Sequence, residues 1–198
     1  MERSAFLPQL LELLSANKSY PKYQHQRRID IFFNFFLPAV LEAVLGTSID
    51  LVVPEFPLKK PESRRSTNAD YLAFSARDKA VFLCEFRTTA GSFRKAQMDR
   101  YFQAQRAKWP ALREDVEQVF AGAARHDKEK YRRLLDKVRD IPRGVTIKVL
   151  YIAPAAIRLR LDAAAAGRRY EFIALEELRS LEVATAFKDE WSLVRSSL

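Results

Sequence analysis

Cysteine and histidine are almost missing from this sequence. Cys84 is the single cysteine, so no disulfide can form within the chain and no cysteine-based zinc site can be assembled. The two histidines, His25 and His126, lie far apart, and neither has the spacing of a zinc site. Any metal ion that this chain binds is therefore expected to be a hard cation held by oxygen atoms.

Long apolar runs and flexible tracts are also missing. The most apolar segment, residues 31–45, is interrupted by Asn34, Pro38 and Glu42, which makes it too short and too polar to cross a bilayer. The first residues lack the apolar core and the cleavage site of a signal peptide. Glycine is scarce and no long polar tract occurs, which argues against a disordered chain. We therefore expect a folded, cytoplasmic protein with no membrane partner.

Positive charge, in contrast, is abundant. The chain has 34 Lys and Arg residues against 25 Asp and Glu residues, which gives a net charge of +9 and a pI near 9.8. Such an excess is expected of a protein that meets polyanions, although a soluble basic protein has the same balance. With 198 residues, 48% of them hydrophobic, the chain is expected to form a single domain over residues 1–198.

The pattern of apolar residues predicts a mixed α/β fold. Helical spacing predicts a helix over about residues 27–45, kinked or split at Pro38 and ended by Gly46. Strands are expected near residues 49–53, 70–74, 80–87, 144–153 and 169–174. Further helices are expected near residues 92–109, 111–124, 127–138 and from 175 onward, with a basic loop over 59–67. This order predicts a central mixed sheet of about four to five strands flanked by helices, with a core at about 28–153 and helical extensions at both ends.

A hairpin in the middle of the chain brings acidic residues together. A turn over residues 76–79 that is symmetric about its centre pairs Asp70 with Glu85 on the two strands. Two like charges in directly opposed positions destabilise a sheet unless a cation lies between them. Because side chains alternate along a strand, Glu85 and Arg87 point to one face and Cys84 to the other. The predicted face therefore holds Asp70, Glu85 and Arg87.

The helix after this hairpin adds polar groups to the same region. Gln97 and Tyr101 are one turn apart, so they lie on one helix face, with Arg94 near it. The preceding loop, residues 88–91, leads to a helix N-terminus, where backbone N–H groups can receive a phosphate.

In this order, Asp70, Glu85-x-Arg87 and Gln97-x-x-x-Tyr101 resemble the PD-(D/E)XK nuclease superfamily, most closely its RecB-like branch. The resemblance covers residues 28–105 and implies a restriction-endonuclease-like core. It also implies Mg²⁺ or Mn²⁺ bound by Asp70 and Glu85, with Gln97 and Tyr101 supporting the site and the DNA. Arg87 stands where the family has lysine; it can stabilise negative charge and bind phosphate but cannot act as a base.

The resemblance also suggests further site residues. Lys95 is the nearest lysine in sequence that could replace the missing one. The acidic residue that the family often has on its first core helix is expected to be Glu42, a further metal ligand, with Glu55 as a second possibility. His25 could match a histidine upstream of some RecB-like sites, although a surface histidine is the stronger interpretation. Contacts to nucleic acid are expected from Tyr101, Arg94, Lys95, Lys59, Lys60, Arg64 and Arg65, while a merely solvated loop at 59–65 is the alternative.

Three functions are compatible with these residues. The first is metal-dependent hydrolysis of phosphodiester bonds in nucleic acid, with DNA as the expected substrate. The second is a non-catalytic nucleic-acid-binding or assembly module whose nuclease site has degenerated at Arg87. The third is a protein–protein adaptor that uses the helical C-terminal half. A homodimer or a partner subunit is possible in each case.

Overall fold

Segments rich in β-branched and aromatic residues form the centre of the protein, as such residues favour a half-buried pleated surface. The computed structural model describes residues 10, 13, 25–59 and 66–198. Its sheet has five strands in the spatial order β1-β2-β3-β4-β5. The strands are Leu51–Lys59 (β1), Ser66–Ser75 (β2), Ala80–Phe86 (β3), Thr146–Ala153 (β4) and Glu171–Ala174 (β5). The first three pair antiparallel and the last three pair parallel, which confirms the predicted mixed sheet.

Helices flank this sheet, as the α/β prediction requires. Their bounds are His25–Leu45 (α1), Lys95–Arg106 (α2), Trp109–Ala121 (α3), Arg125–Lys137 (α4), Arg158–Ala165 (α5), Leu175–Leu178 (α6) and Lys188–Ser196 (α7). Short 3₁₀ turns cover Ala90–Ser92 and Ala155–Ile157. No helix in the described ranges is long and apolar enough to cross a membrane.

The two faces of the sheet bury separate hydrophobic cores. Along β3, Val81 and Leu83 join a core that includes residues of α2, α3 and α5. The alternate residues, Phe82, Cys84 and Phe86, join a core under α1 and α7. This alternation follows from the two-residue period of a strand, and it confirms that Cys84 points away from the face expected for Glu85.

Several predicted boundaries differ from the structure. Of the two predicted outcomes at Pro38, a kink or a split, the split is wrong, because Pro38 lies inside the continuous helix α1. Buried residues on both sides of Pro38 hold the two halves of the helix against the sheet, at the cost of one backbone hydrogen bond. Gly46 ends α1 as predicted, because it adopts a φ of 64° and its N–H donates to the Glu42 carbonyl at 3.0 Å.

The helix that was expected from Ser92 to Trp109 is shorter than predicted. It begins at Lys95 after the 3₁₀ turn and ends at Arg106, because Trp109 and Pro110 begin the next helix. The expected loop at 59–67 is also smaller, since Lys59 pairs with Ser66 at the end of β1 and β2. Lys60, Arg64 and Arg65 lie outside the described residues, as does most of the predicted N-terminal helical extension.

Candidate metal-binding and catalytic site

The register of the β2–β3 hairpin brings two carboxylates to the same end of the sheet. Ser75 pairs with Ala80 and Tyr71 with Cys84, which is the register that the symmetric turn predicts. Asp70 and Glu85 are the next residues on the two strands. The backbone N–H of Phe86 donates to Asp70 Oδ2 at 2.7 Å, so the Asp70 carboxylate lies against β3 beside Glu85.

The Glu85 carboxylate is the buried centre of this cluster, with 2% of the residue exposed. Its Oε2 atom accepts hydrogen bonds from the Tyr101 hydroxyl and, at 3.0 Å, from Gln97 Nε2. Its Oε1 atom forms an ion pair with Arg87 Nη2. Arg87 Nη2 also donates to Gln97 Oε1 at 2.8 Å. Glu85, Arg87 and Gln97 therefore form a closed ring of contacts.

Helix α2 supplies two members of this cluster from one face. Gln97 and Tyr101 are one turn apart, and both reach Glu85, as their spacing predicts. Tyr101 is fully buried, and its ring lies 6.0 Å from that of Tyr151 at an angle of 50°. Tyr151 is the register partner of Glu85 on β4. The buried rings keep water away from this side of the carboxylate.

Burial disfavours charge on both carboxylates. It raises the pKa of Asp70 to about 6, against the lowering effects of the Phe86 N–H and Arg87, while Asp30 and Glu55 raise it further. Burial and the charge of Asp70 raise the pKa of Glu85 to about 8, although Arg87 and Tyr101 lower it. The two carboxylates therefore hold protons more tightly than isolated ones do, and a bound cation would favour their charged forms.

Asp30, on α1, is the helix carboxylate that comes close to Asp70. The Tyr71 hydroxyl donates a hydrogen bond to Asp30 Oδ1, and burial raises the pKa of Asp30. Glu42, the predicted acidic ligand of this helix, is exposed and lies roughly 18 Å further along α1 at about 1.5 Å per residue. The structure therefore does not bring Glu42 to Asp70 and Glu85.

Glu55, the second possibility, does lie beside the site. The pairs on either side, Pro54 with Tyr71 and Phe56 with Ala69, place Glu55 opposite Asp70. Glu55 has a left-handed φ of 54° and accepts a hydrogen bond from Asn68 Nδ2 at 2.8 Å. Its charge raises the pKa of both Asp30 and Asp70. Within the described residues, however, no group of three or more acidic, histidine or cysteine side chains is arranged to hold a metal ion by itself.

The predicted basic contacts that the structure describes lie outside this cluster. Lys59 donates to Gln118 and lies 3.9 Å from Asp115 on α3. Lys95 forms an ion pair with Asp99 at 2.7 Å and is 67% exposed, so it does not replace the missing lysine here. Arg94 is exposed at the start of α2. The side chain of His25 and residues 60–65 are not among the described parts of the chain.

Sequence reasoning missed three neighbours of the site, namely Asp30 as the helix carboxylate, Tyr71 and Tyr151. Asp30 follows buried Ile29 and so lies at the edge of the apolar helix face, which is a usable signal. Tyr71 follows Asp70, so alternation predicts that it points to the opposite face, toward α1. Nothing in the sequence indicated Tyr151. It lies on β4, which is far from β3 in the chain, and the register of two such parallel strands cannot be predicted from their sequences alone.

Comparison with protein-family models, with curated proteins and with solved structures finds no match to this chain. What the site can do chemically follows from the side chains that the fold brings together.

Proposed function

We propose that this protein hydrolyses phosphodiester bonds in nucleic acid in the manner of the PD-(D/E)XK nucleases, with Mg²⁺ or Mn²⁺ as cofactor and DNA as substrate. One observation carries the proposal: Asp70, Glu85, Arg87 and Gln97 meet at one end of the sheet, around a buried carboxylate. If Glu85 and Arg87 formed an ion pair only for stability, a second carboxylate with a raised pKa, Asp70, would not be needed beside them.

Asp70 and Glu85 are the residues that would hold the metal ion. Mg²⁺ is commonly bound in enzymes by one or two carboxylates together with water and substrate phosphate, so two protein ligands are sufficient. The bound metal would lower the pKa of water and polarise the phosphate. Asp30 and Glu55, placed around Asp70, add negative charge that favours a cation at this position.

Arg87 would stabilise the negative charge that develops on the phosphate. Its guanidinium is held by Glu85 and Gln97, so its position is fixed before substrate arrives. Arginine cannot take a proton from water, so the attacking water must lose its proton elsewhere. Gln97 acts as a positioning residue, because it bonds both Glu85 and Arg87.

A second function is favoured by the same ion pair. Arg87 occupies Glu85 Oε1, which is one of the oxygen atoms that a metal ion needs. If arginine holds this oxygen permanently, the protein binds nucleic acid without cutting it. The net charge of +9 suits that function equally well.

The experiment is a titration of Mg²⁺ and Mn²⁺ in a cleavage assay on single- and double-stranded DNA and RNA. Asp70→Asn and Glu85→Gln should each lower the rate by at least about 100-fold, since even indirect metal partners cost about 10- to 100-fold. Glu42→Gln is the matched control, because it removes an exposed carboxylate of α1 away from the site. Its rate should equal that of the wild type.

Two results decide between the functions. Metal-dependent cutting that survives Glu85→Gln would disprove the proposed site. Salt-sensitive binding without cutting by any variant would favour the binding module, and Arg87→Lys would then test whether lysine restores cleavage.

A further inference from the structure

A groove of about 370 Å³ lies between the edge of the sheet and helix α4. Its sheet side is lined by Pro54, Pro57 and Asn68, and its helix side includes Asp127, Lys130 and Tyr131. Glu55 lies in the same wall. Glu55 is the one residue of the proposed nuclease site that lines the groove. The groove is therefore a neighbouring surface and not part of that site.

The groove adjoins the carboxylates of the candidate site. Glu55 lines the groove, stands opposite Asp70 in the sheet and raises the pKa of Asp70 by its charge. A nucleic-acid strand whose phosphate lies at Asp70 would therefore place a neighbouring nucleotide at this groove.

The walls of the groove suit a nucleotide base. Tyr131 is half-buried and packs against the core, so its ring is held in place. Pro54 is exposed and offers a flat apolar surface on the sheet side, with buried Pro57 behind it. Aromatic side chains bind bases of any sequence by stacking. The amide of Asn68, beside them, can hydrogen bond to a base edge.

The helix that borders the groove carries net positive charge. Helix α4 has six basic residues and three acidic ones in its 13 residues, and none of them is buried. Lys130 is 77% exposed and points its ammonium group at Asp127, 2.8 Å away. Asp127 lines the groove as well, and its charge is offset by this ion pair with Lys130. The helix thus presents net positive charge beside the groove.

We infer that this groove binds an unpaired nucleotide next to the scissile phosphate, so that the substrate is a single strand or a frayed strand end. The inference rests on the proposed function for the position of the cut, but the groove itself binds without metal. In a duplex the base is stacked within the helix and cannot enter the groove. The protein should therefore prefer single strands to duplexes of the same sequence.

The test is fluorescence anisotropy with a labelled single-stranded oligonucleotide and the matching blunt duplex, both in EDTA. Tyr131→Leu keeps apolar bulk against the core but removes the stacking ring, and should weaken single-strand binding by roughly 5- to 150-fold. Tyr131→Phe keeps the ring and should bind as the wild type does. Duplex binding should be the same for all three proteins.

Charge is tested separately by two lysines of α4. Lys130→Ala should weaken single-strand binding, because Lys130 lines the groove. Lys128→Ala removes the same charge from the same helix, but Lys128 lies over the Phe120 ring outside the groove. The loss for Lys130→Ala should exceed that for Lys128→Ala.

Equal affinity for single strands and duplexes, or wild-type binding by Tyr131→Leu, would overturn the inference. The two proposals fail separately. Loss of cutting in Glu85→Gln with normal binding by Tyr131→Leu keeps the nuclease and removes the groove. Weakened binding by Tyr131→Leu in a protein that cuts nothing keeps the groove and removes the nuclease.

Discussion

At the scale of single residues, Glu85 is under two opposing influences. Burial and Asp70 raise its pKa to about 8, whereas Arg87 and the Tyr101 hydroxyl lower it. Because the folded protein holds this proton more tightly than the unfolded chain, folding is favoured at low pH at this residue. The contribution is present in full below the ordinary pKa of 4.5 and is lost as the pH rises through about 8.

In metal-free buffer, the wild-type protein should therefore lose stability as the pH rises and Glu85 becomes charged, and Glu85→Gln should not show this loss. The free energy of unfolding of the wild type, relative to that of the variant, should fall between about pH 5 and about pH 8.5. Urea unfolding at several pH values measures this difference. Glu42→Gln, on the exposed part of α1, should show no such trend. A constant difference between wild type and Glu85→Gln would contradict the raised pKa.

Arg87 provides a second test at this scale. Arg87→Ala leaves Glu85, 3% exposed at its side chain, without its cation. Breaking a buried ion pair by removing one partner costs about 3 to 5 kcal/mol, and protonation of Glu85 should reduce that loss. By denaturant unfolding we expect a loss of about 3 kcal/mol above about pH 8 and a smaller loss near neutral pH, where a pKa of about 8 keeps Glu85 mostly protonated. The double variant Arg87→Ala with Glu85→Gln should recover much of it, and a double variant as unstable as the single one would argue against the pairing.

At the scale of elements, the end of α1 depends on a backbone conformation that favours glycine. Gly46 has a φ of 64°, and a Cβ atom placed there would meet nothing within 4 Å. Gly46→Ala should therefore cost about 1 kcal/mol through backbone strain alone. Gly91→Ala is the matched control, since Gly91 has equally open surroundings and no positive φ. Thermal unfolding measures both variants. An equal change in melting temperature for the two would show that backbone strain at Gly46 is not the cause.

The local parts of the fold were the parts that sequence could predict. The turn between β2 and β3 fixed the register that places Asp70 beside Glu85, because a short hairpin leaves few alternatives. Helical spacing likewise brought Gln97 and Tyr101 to one face. Both features depend only on residues within one short segment, the β2–β3 hairpin in the first case and helix α2 in the second.

The choice of helix carboxylate needed tertiary information. Glu42 and Asp30 lie on the same helix, and only the packing of α1 across the sheet decides which of them approaches Asp70. Glu55 stands opposite Asp70 because β1 extends to Lys59, beyond the predicted end of that strand. Pro38 shows the same limit, because local preference predicted either a kink or a split, and packing keeps α1 continuous there.

At the scale of the whole molecule, the charge of +9 predicts that the proposed binding to nucleic acid depends on salt. We expect affinity for single-stranded DNA to fall steeply between about 50 and 200 mM salt, because bound cations are released from phosphate. Anisotropy titrations over this range give the slope. Affinity that is independent of salt would show that contacts other than phosphate ion pairs dominate binding.

The order of the strands also has a consequence for folding. The first three strands form a continuous meander from Leu51 to Phe86, whereas β4 joins by a parallel crossover that includes three helices. Contacts between neighbouring segments close with less loss of chain entropy than distant ones, so the meander is expected to assemble first. Asp70 and Glu85 would then come together early, in a partly folded chain that still lacks Tyr151.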